Sequence, residues 1–89
     1  MSAELLIEDK LDIWTVGATR ELALEKMDGG GDLTVDVSGA DTIDVAGMQL
    51  LLALSRDLEG QGRGLYVRGA ERLESVCARC GIAPFWTEA

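Results

Sequence analysis

Residues 35–54 read VDVSGADTIDVAGMQLLLAL, and this stretch decides the fold. Its first residues close the run LTVDV at 33–37, where every second side chain is apolar, the period of a half-buried strand. The loop SGADTID follows, and from about Ala46 to Glu59 the chain is apolar almost all round, with Gln49, Arg56 and Asp57 as a narrow polar stripe. A strand, a loop and a well-covered helix is the repeating unit of a layered α/β domain. The odd residue is Val45. A helix start ordinarily takes a short polar side chain to accept hydrogen bonds from its free N–H groups, yet the residue after Asp44 is a β-branched hydrocarbon.

Outward from this stretch the same alternation continues. GQGRG at 60–64 is a turn, LYV at 65–67 a strand, and ERLESVCARC at 71–80 a helix ended by Gly81. The tail IAPFWTEA is long enough for one short edge strand. Toward the amino terminus, LLI at 5–7, alone or with LDIW at 11–14, reads as one strand region or a short hairpin. Residues 16–28, VGATRELALEKMD, space Val16, Leu22, Ala23 and Met27 as an amphipathic helix, which Gly29, Gly30 and Gly31 stop. The expected fold is α/β: residues 1–89 as one domain, a small mixed β-sheet with about three helices in a single layer on it. Strands 33–37 and 65–67 should be neighbours joined by a right-handed crossover. Ligands and partners of such open sheets gather beyond the carboxyl ends of the strands, where SGADTID is the longest loop.

Catalysis finds little to work with. The 89 residues contain no histidine, the commonest general base and nitrogen ligand. The glycine run follows a helix and precedes a strand, the reverse of a phosphate loop, whose helix N–H groups must face the phosphate. Cys77 and Cys80 lack the second ligand pair of a structural zinc, and they fall at the end of a helix, where the dipole opposes a thiolate. They read as two core thiols sharing a face with Leu73 and Val76. No enzyme, metal or cofactor is expected.

The net charge of −8 lies in the first half: residues 1–44 carry eleven acids against Lys10, Arg20 and Lys26, whereas residues 45–89 carry five acids and five arginines. Such a surface repels phosphate backbones and anionic headgroups, so nucleic acid and membrane are poor partners. No apolar run is long enough to span a bilayer, and the acidic start MSAELLIEDK is unlike a secretory signal, so a cytoplasmic location is expected.

The order of elements resembles the STAS family, the domain of anti-sigma factor antagonists and of the cytoplasmic tails of sulfate transporters. Three fragments carry the resemblance over nearly the whole chain. VDVSGADTIDVAGMQLLLAL is similar to the family's strand, acidic turn and D-[Ser/Thr]-[Ser/Ala]-G-[Leu] pattern at Asp44, Ala46, Gly47, Met48 and Leu51. KLDIWT is similar to G-E-L-D-x-x-T at Leu11, Asp12 and Thr15, with Lys10 where an acid is common. ERLESVCARCGI looks like the last helix and its ending, Cys80-Gly81-Ile82.

In regulatory members the hydroxyl residue after the aspartate is phosphorylated by a partner kinase. Here that place is Val45, which has no oxygen to accept a phosphoryl group. The resemblance therefore implies a non-catalytic interaction module without that switch. Its docking face is expected at Asp44, Val45, Ala46, Gly47, Gln49, Leu50 and Ala53, with Met48, Leu51 and Leu52 against the sheet. Asp44 is expected to cap the helix, and with Asp41 and Asp12 it also reads as an acidic rim for a basic partner. Ser38 and Thr42 are the loop's other hydroxyls, and neither stands at the helix start, where a phosphate is best stabilised; Thr42 is expected to face inward.

The expected partner is a signalling protein, an anti-sigma factor or a histidine-kinase-like protein. AGMQLLLAL is similar to the AGLQLLLAL of STAS proteins encoded beside chemotaxis genes. The alternative is the ATPase of a lipid-transport ABC system, to which some stand-alone members fasten. A homodimer is a further expectation, because strands that would shield a sheet edge are missing on either side.

Overall fold

A computed structural model describes residues 2–89. In chain order the elements are β1 (Ser2–Leu6), β2 (Lys10–Leu11), α1 (Val16–Met27), β3 (Asp32–Asp36), β4 (Thr42–Ile43), α2 (Val45–Gly60), β5 (Leu65–Arg68), α3 (Glu71–Cys80) and β6 (Thr87–Glu88). The main sheet has the order β1-β3-β5-β6, while β2 and β4 make a separate two-stranded ladder. Strands alternate with helices as expected, and β3 and β5 are neighbours.

The sheet expected to be mixed is parallel throughout. The one antiparallel candidate, a hairpin over 5–7 and 11–14, does not form. The amide of Ile7 donates to the Asp36 carbonyl at 2.9 Å, so the amino-terminal segment stays bound to β3. Lys10 and Leu11 then pair with Thr42 and Ile43. With a helix between each later pair of neighbours, parallel pairing is the geometry that short connections permit.

Register converts the alternation of the strands into a core. Ala3, Leu33 and Leu65 form one row across the sheet and Leu5, Val35 and Val67 the next. Met48, Leu51, Leu54 and Leu58 of α2, Ala23 and Met27 of α1, and Leu73, Val76 and Cys77 of α3 complete a single cluster with them. Each fully buried large apolar side chain stabilises the fold by about 1.5–3 kcal/mol. On the other face Glu4, Thr34 and Tyr66 share one row and Leu6, Asp36 and Arg68 another, and Arg68 reaches Glu4 at 2.5 Å.

In α1 the buried residues are Thr19, Ala23 and Met27, with Val16 partly covered, while Leu22 is 50% exposed. The inward stripe therefore runs 16-19-23-27 and leaves Leu22 out, correcting the spacing expected from its apolar residues. Arg63 secures the far end of this helix: its Nη2 donates to the Met27 carbonyl at 2.6 Å and its Nε to the Gly31 carbonyl. An arginine on the last carbonyls satisfies acceptors that the helix leaves open.

Two further expectations change. Cys77 is buried, but Cys80, the last residue of α3, is exposed, so only one of the pair is a core thiol. Burial pushes the Cys77 thiol up, with smaller contributions from Cys80 and Glu74, away from reactive thiolate chemistry. Thr42 is exposed, and it is Ile43 that packs on the core. Gly69, between β5 and α3, has φ +80°, and a Cβ there would lie 2.7 Å from both N and Cα of Ser38. The β5–α3 turn and the start of the 38–44 loop can approach this closely only because residue 69 has no side chain.

Candidate docking site

Asp44 organises the site. As N-cap of α2 it accepts the Gly47 amide on Oδ1 at 3.0 Å, and its Oδ2 accepts the Ile13 amide at 3.1 Å. One carboxylate thus satisfies a free donor of the helix and fastens the turn before α1 to the turn before α2. The Asp44 amide donates to the Leu11 carbonyl at 3.2 Å, so backbone and side chain hold the same junction.

The turn at 12–15 is built by its own reciprocal bonds. Asp12 Oδ1 accepts the amides of Trp14 and Thr15 at 3.0 and 3.2 Å, and Thr15 Oγ1 accepts the Asp12 amide at 3.0 Å. This is a capping box one turn ahead of the first residue of α1. It explains why LDIW does not extend β2: the Asp12–Thr15 exchange closes the chain into a turn. Ile13 and Trp14 are left at its tip, 65% and 89% exposed.

Val45 opens α2 and is 46% exposed. The capping oxygen that residue 45 lacks is supplied by Asp44, so a hydrocarbon is tolerated at the first helical position. Ala46 is half-buried, Gln49 and Ala53 are exposed, and the three share one helix face by spacing. Leu50 is half-buried and packs on the core. Met48 and Leu51 are fully buried, Leu52 half-buried. Gly47 is buried: a Cβ there would meet Leu11 Cγ at 2.7 Å and the Leu11 carbonyl more closely still. Its lack of a side chain seats α2 on β2, and that seating brings the helix start, through Asp44, to the Ile13 amide.

At the other end of the loop, Ser38 donates its hydroxyl to Asp36 Oδ1 at 2.5 Å and its amide to the same oxygen at 3.0 Å. These two bonds, followed by Arg68, hold the Asp36 carboxyl below its ordinary pKa, outweighing the opposing effect of burial. Asp41 is exposed and its amide donates to the Asp9 carbonyl at 2.6 Å.

Of the residues expected at the site, Asp44, Val45, Ala46, Gln49 and Ala53 have at least partly accessible positions near or along one helix face, Leu50 turns partly inward, and Gly47 lies beneath. Sequence reasoning missed Ile13 and Trp14. The signal was present in the D-x-x-T spacing of Asp12 and Thr15 just ahead of a helical pattern, which marks a cap and turn rather than a strand.

Comparison with curated proteins gives no match. Among family models, the one described as Mlab, STAS domain, matches residues 2–83. That span runs from β1 through the end of α3 and contains both the Asp12–Thr15 turn and the Asp44 cap, and the chain belongs to the STAS family.

Proposed function

We propose that this STAS domain is a non-catalytic protein-interaction module, docking a signalling partner through the start of α2 and the turn before α1 without phosphoryl control at residue 45. The observation that carries the reading is the group of exposed Ile13, Trp14 and Val45 on two turns joined by the Asp44 carboxylate. An aromatic side chain almost fully in water on a rigid turn is the kind of anchor that interface centres use. A domain with eleven acids in its first half gains nothing in solubility from such a group.

The partner class is an anti-sigma factor or a histidine-kinase-like protein. The second reading, a subunit fastened to the ATPase of a lipid-transport ABC system, is kept by the family description, which names the Mlab type. Both use the same face. The test is affinity capture from native lysate with the wild-type protein and with Val45→Asp, followed by identification of what only the wild type retains. A kinase-like protein supports the first reading, a transporter ATPase the second, and a protein retained equally by both forms removes the docking face. Self-association belongs to the same proposal: among the described residues β1 is an edge strand. A sedimentation mass that rises with concentration supports pairing of a second copy there, and a constant monomer mass removes it.

A further inference from the structure

We propose that the docking site is self-complementary and that, without its partner, it is covered by a second copy of this chain, Trp14 of each copy seating in the groove between α3 and the β4–α2 junction of the other. The inference rests on the docking reading above and adds what occupies that face when the partner does not.

The groove has two lobes, of about 300 and 440 Å³, that share Ile43, Val76 and Arg79 and are therefore continuous. The larger is lined by Ile43, Val45, Val76 and Cys80 among its polar neighbours, an apolar floor with room for an indole. Asp44 stands in the wall of that lobe and its Oδ2 accepts the Ile13 amide, so the turn that carries Trp14 is tied to the rim of the groove. Trp14 lines neither lobe and is 89% exposed, so it does not fill the groove of its own chain. One region of the surface thus carries an apolar knob and, across Asp44, an apolar hollow. A twofold pair needs this property, because what one copy presents the same face of the other must receive.

The charges of the groove are balanced in the same sense. It holds Asp41 and Asp44 against Arg72 and Arg79. Both Asp44 oxygens accept backbone amides of their own chain, whereas Asp41, Arg72 and Arg79 are exposed and make no ion pair among the described residues. A face of one sign repels its own copy, but across a twofold axis the free carboxylate of each copy can meet a free guanidinium of the other. A guanidinium at the groove can also stack on an inserted indole. Buried area sets the strength. Ile13, Trp14 and Val45 remove roughly 300 Å² per copy from water, well under the about 800 Å² per partner of a stable complex. Pairing is therefore weak and reversible, and a partner that takes the same face displaces the second copy.

The test is sedimentation equilibrium of the full chain over a range of concentrations, with each variant checked for the wild-type melting temperature. The wild type should rise toward twice the monomer mass, and Trp14→Ala should weaken association at least about tenfold. Asp41→Arg by itself, and Arg72→Asp with Arg79→Asp by itself, should each stay monomeric, since each face then repels its own copy. An equimolar mixture of those two proteins should recover a dimer. A monomeric wild type, a mixture that fails to associate, or association that survives every variant, as pairing along the β1 edge would, overturns the proposal. Lysate capture separates this from failure of the docking reading. A monomeric wild type that captures a protein lost with Val45→Asp refutes the second copy and leaves the docking face standing, whereas equal capture by wild type and Val45→Asp removes the docking reading and the masking with it.

Discussion

At the scale of single residues, Asp44 has the largest structural role at the site. Replacing it by alanine removes the cap on α2 and the acceptor for Ile13 together, and should lower stability by about 2–3 kcal/mol in urea denaturation. Asp44→Asn keeps one carbonyl oxygen and should lose about half as much. Val45→Thr changes an exposed side chain to one of similar shape, so its effect should stay within about 0.5 kcal/mol. It also restores a hydroxyl at the helix start, so intact-mass analysis after incubation with a captured kinase reads whether valine alone withholds phosphorylation. Asp36 supplies a pH dependence. Its folded pKa lies below the unfolded one, so its contribution is fully present above the ordinary aspartate range and is lost as pH falls through about 4 toward the lower folded value. Asp36→Asn should flatten the urea midpoint between about pH 5 and pH 3, and Ser38→Ala should flatten it partly.

Among the elements, α2 and its seat on β2 divide structure from function. Leu51→Ala should cost about 2–5 kcal/mol, because the side chain is fully enclosed, and Leu50→Ala distinctly less, because that residue is only half-covered. Gly47→Ala forces a methyl against Leu11 and should cost more than about 2 kcal/mol, or shift α2 visibly in the amide spectrum of Leu11 and Val45. The long helices and central strands were legible in the sequence because α2, α3, β3 and β5 keep their apolar periods for whole turns or pleats. The stripe of α1 was not, since Thr19 goes inside and Leu22 outside, and hydrophobicity alone points the other way. The two-residue strands β2 and β4 are too short for any period. Trp14 was hidden for a related reason: four residues with three apolar side chains read as strand until the Asp12–Thr15 hydrogen bonds show a turn.

For the molecule as a whole, the parallel sheet has helices of one core on one side and a largely polar opposite face, where the Glu4–Arg68 pair is about half exposed on each partner. Such a pair stabilises by about 0–1 kcal/mol, so Glu4→Gln should leave the melting temperature nearly unchanged. No helix among the described residues is long and apolar enough to cross a membrane. The acids and bases are divided along the chain, and the fold brings two arginines from the balanced half beside the aspartates of the acidic half at the α2 start. Family membership and fold were thus legible from order and spacing. The link between the exposed 12–15 turn and the α2 start was not, because it arises where segments far apart in sequence meet.

The most direct measurement is the affinity of the purified, captured partner for the wild-type protein and for Trp14→Ala, with matched melting temperatures as the control on folding. Trp14 is almost fully exposed, so its removal leaves the core intact. A docking face on the Asp44-linked turns predicts at least about a tenfold loss of affinity with the melting temperature unchanged. Unchanged affinity for a folded Trp14→Ala protein would contradict the account and move the partner to another surface.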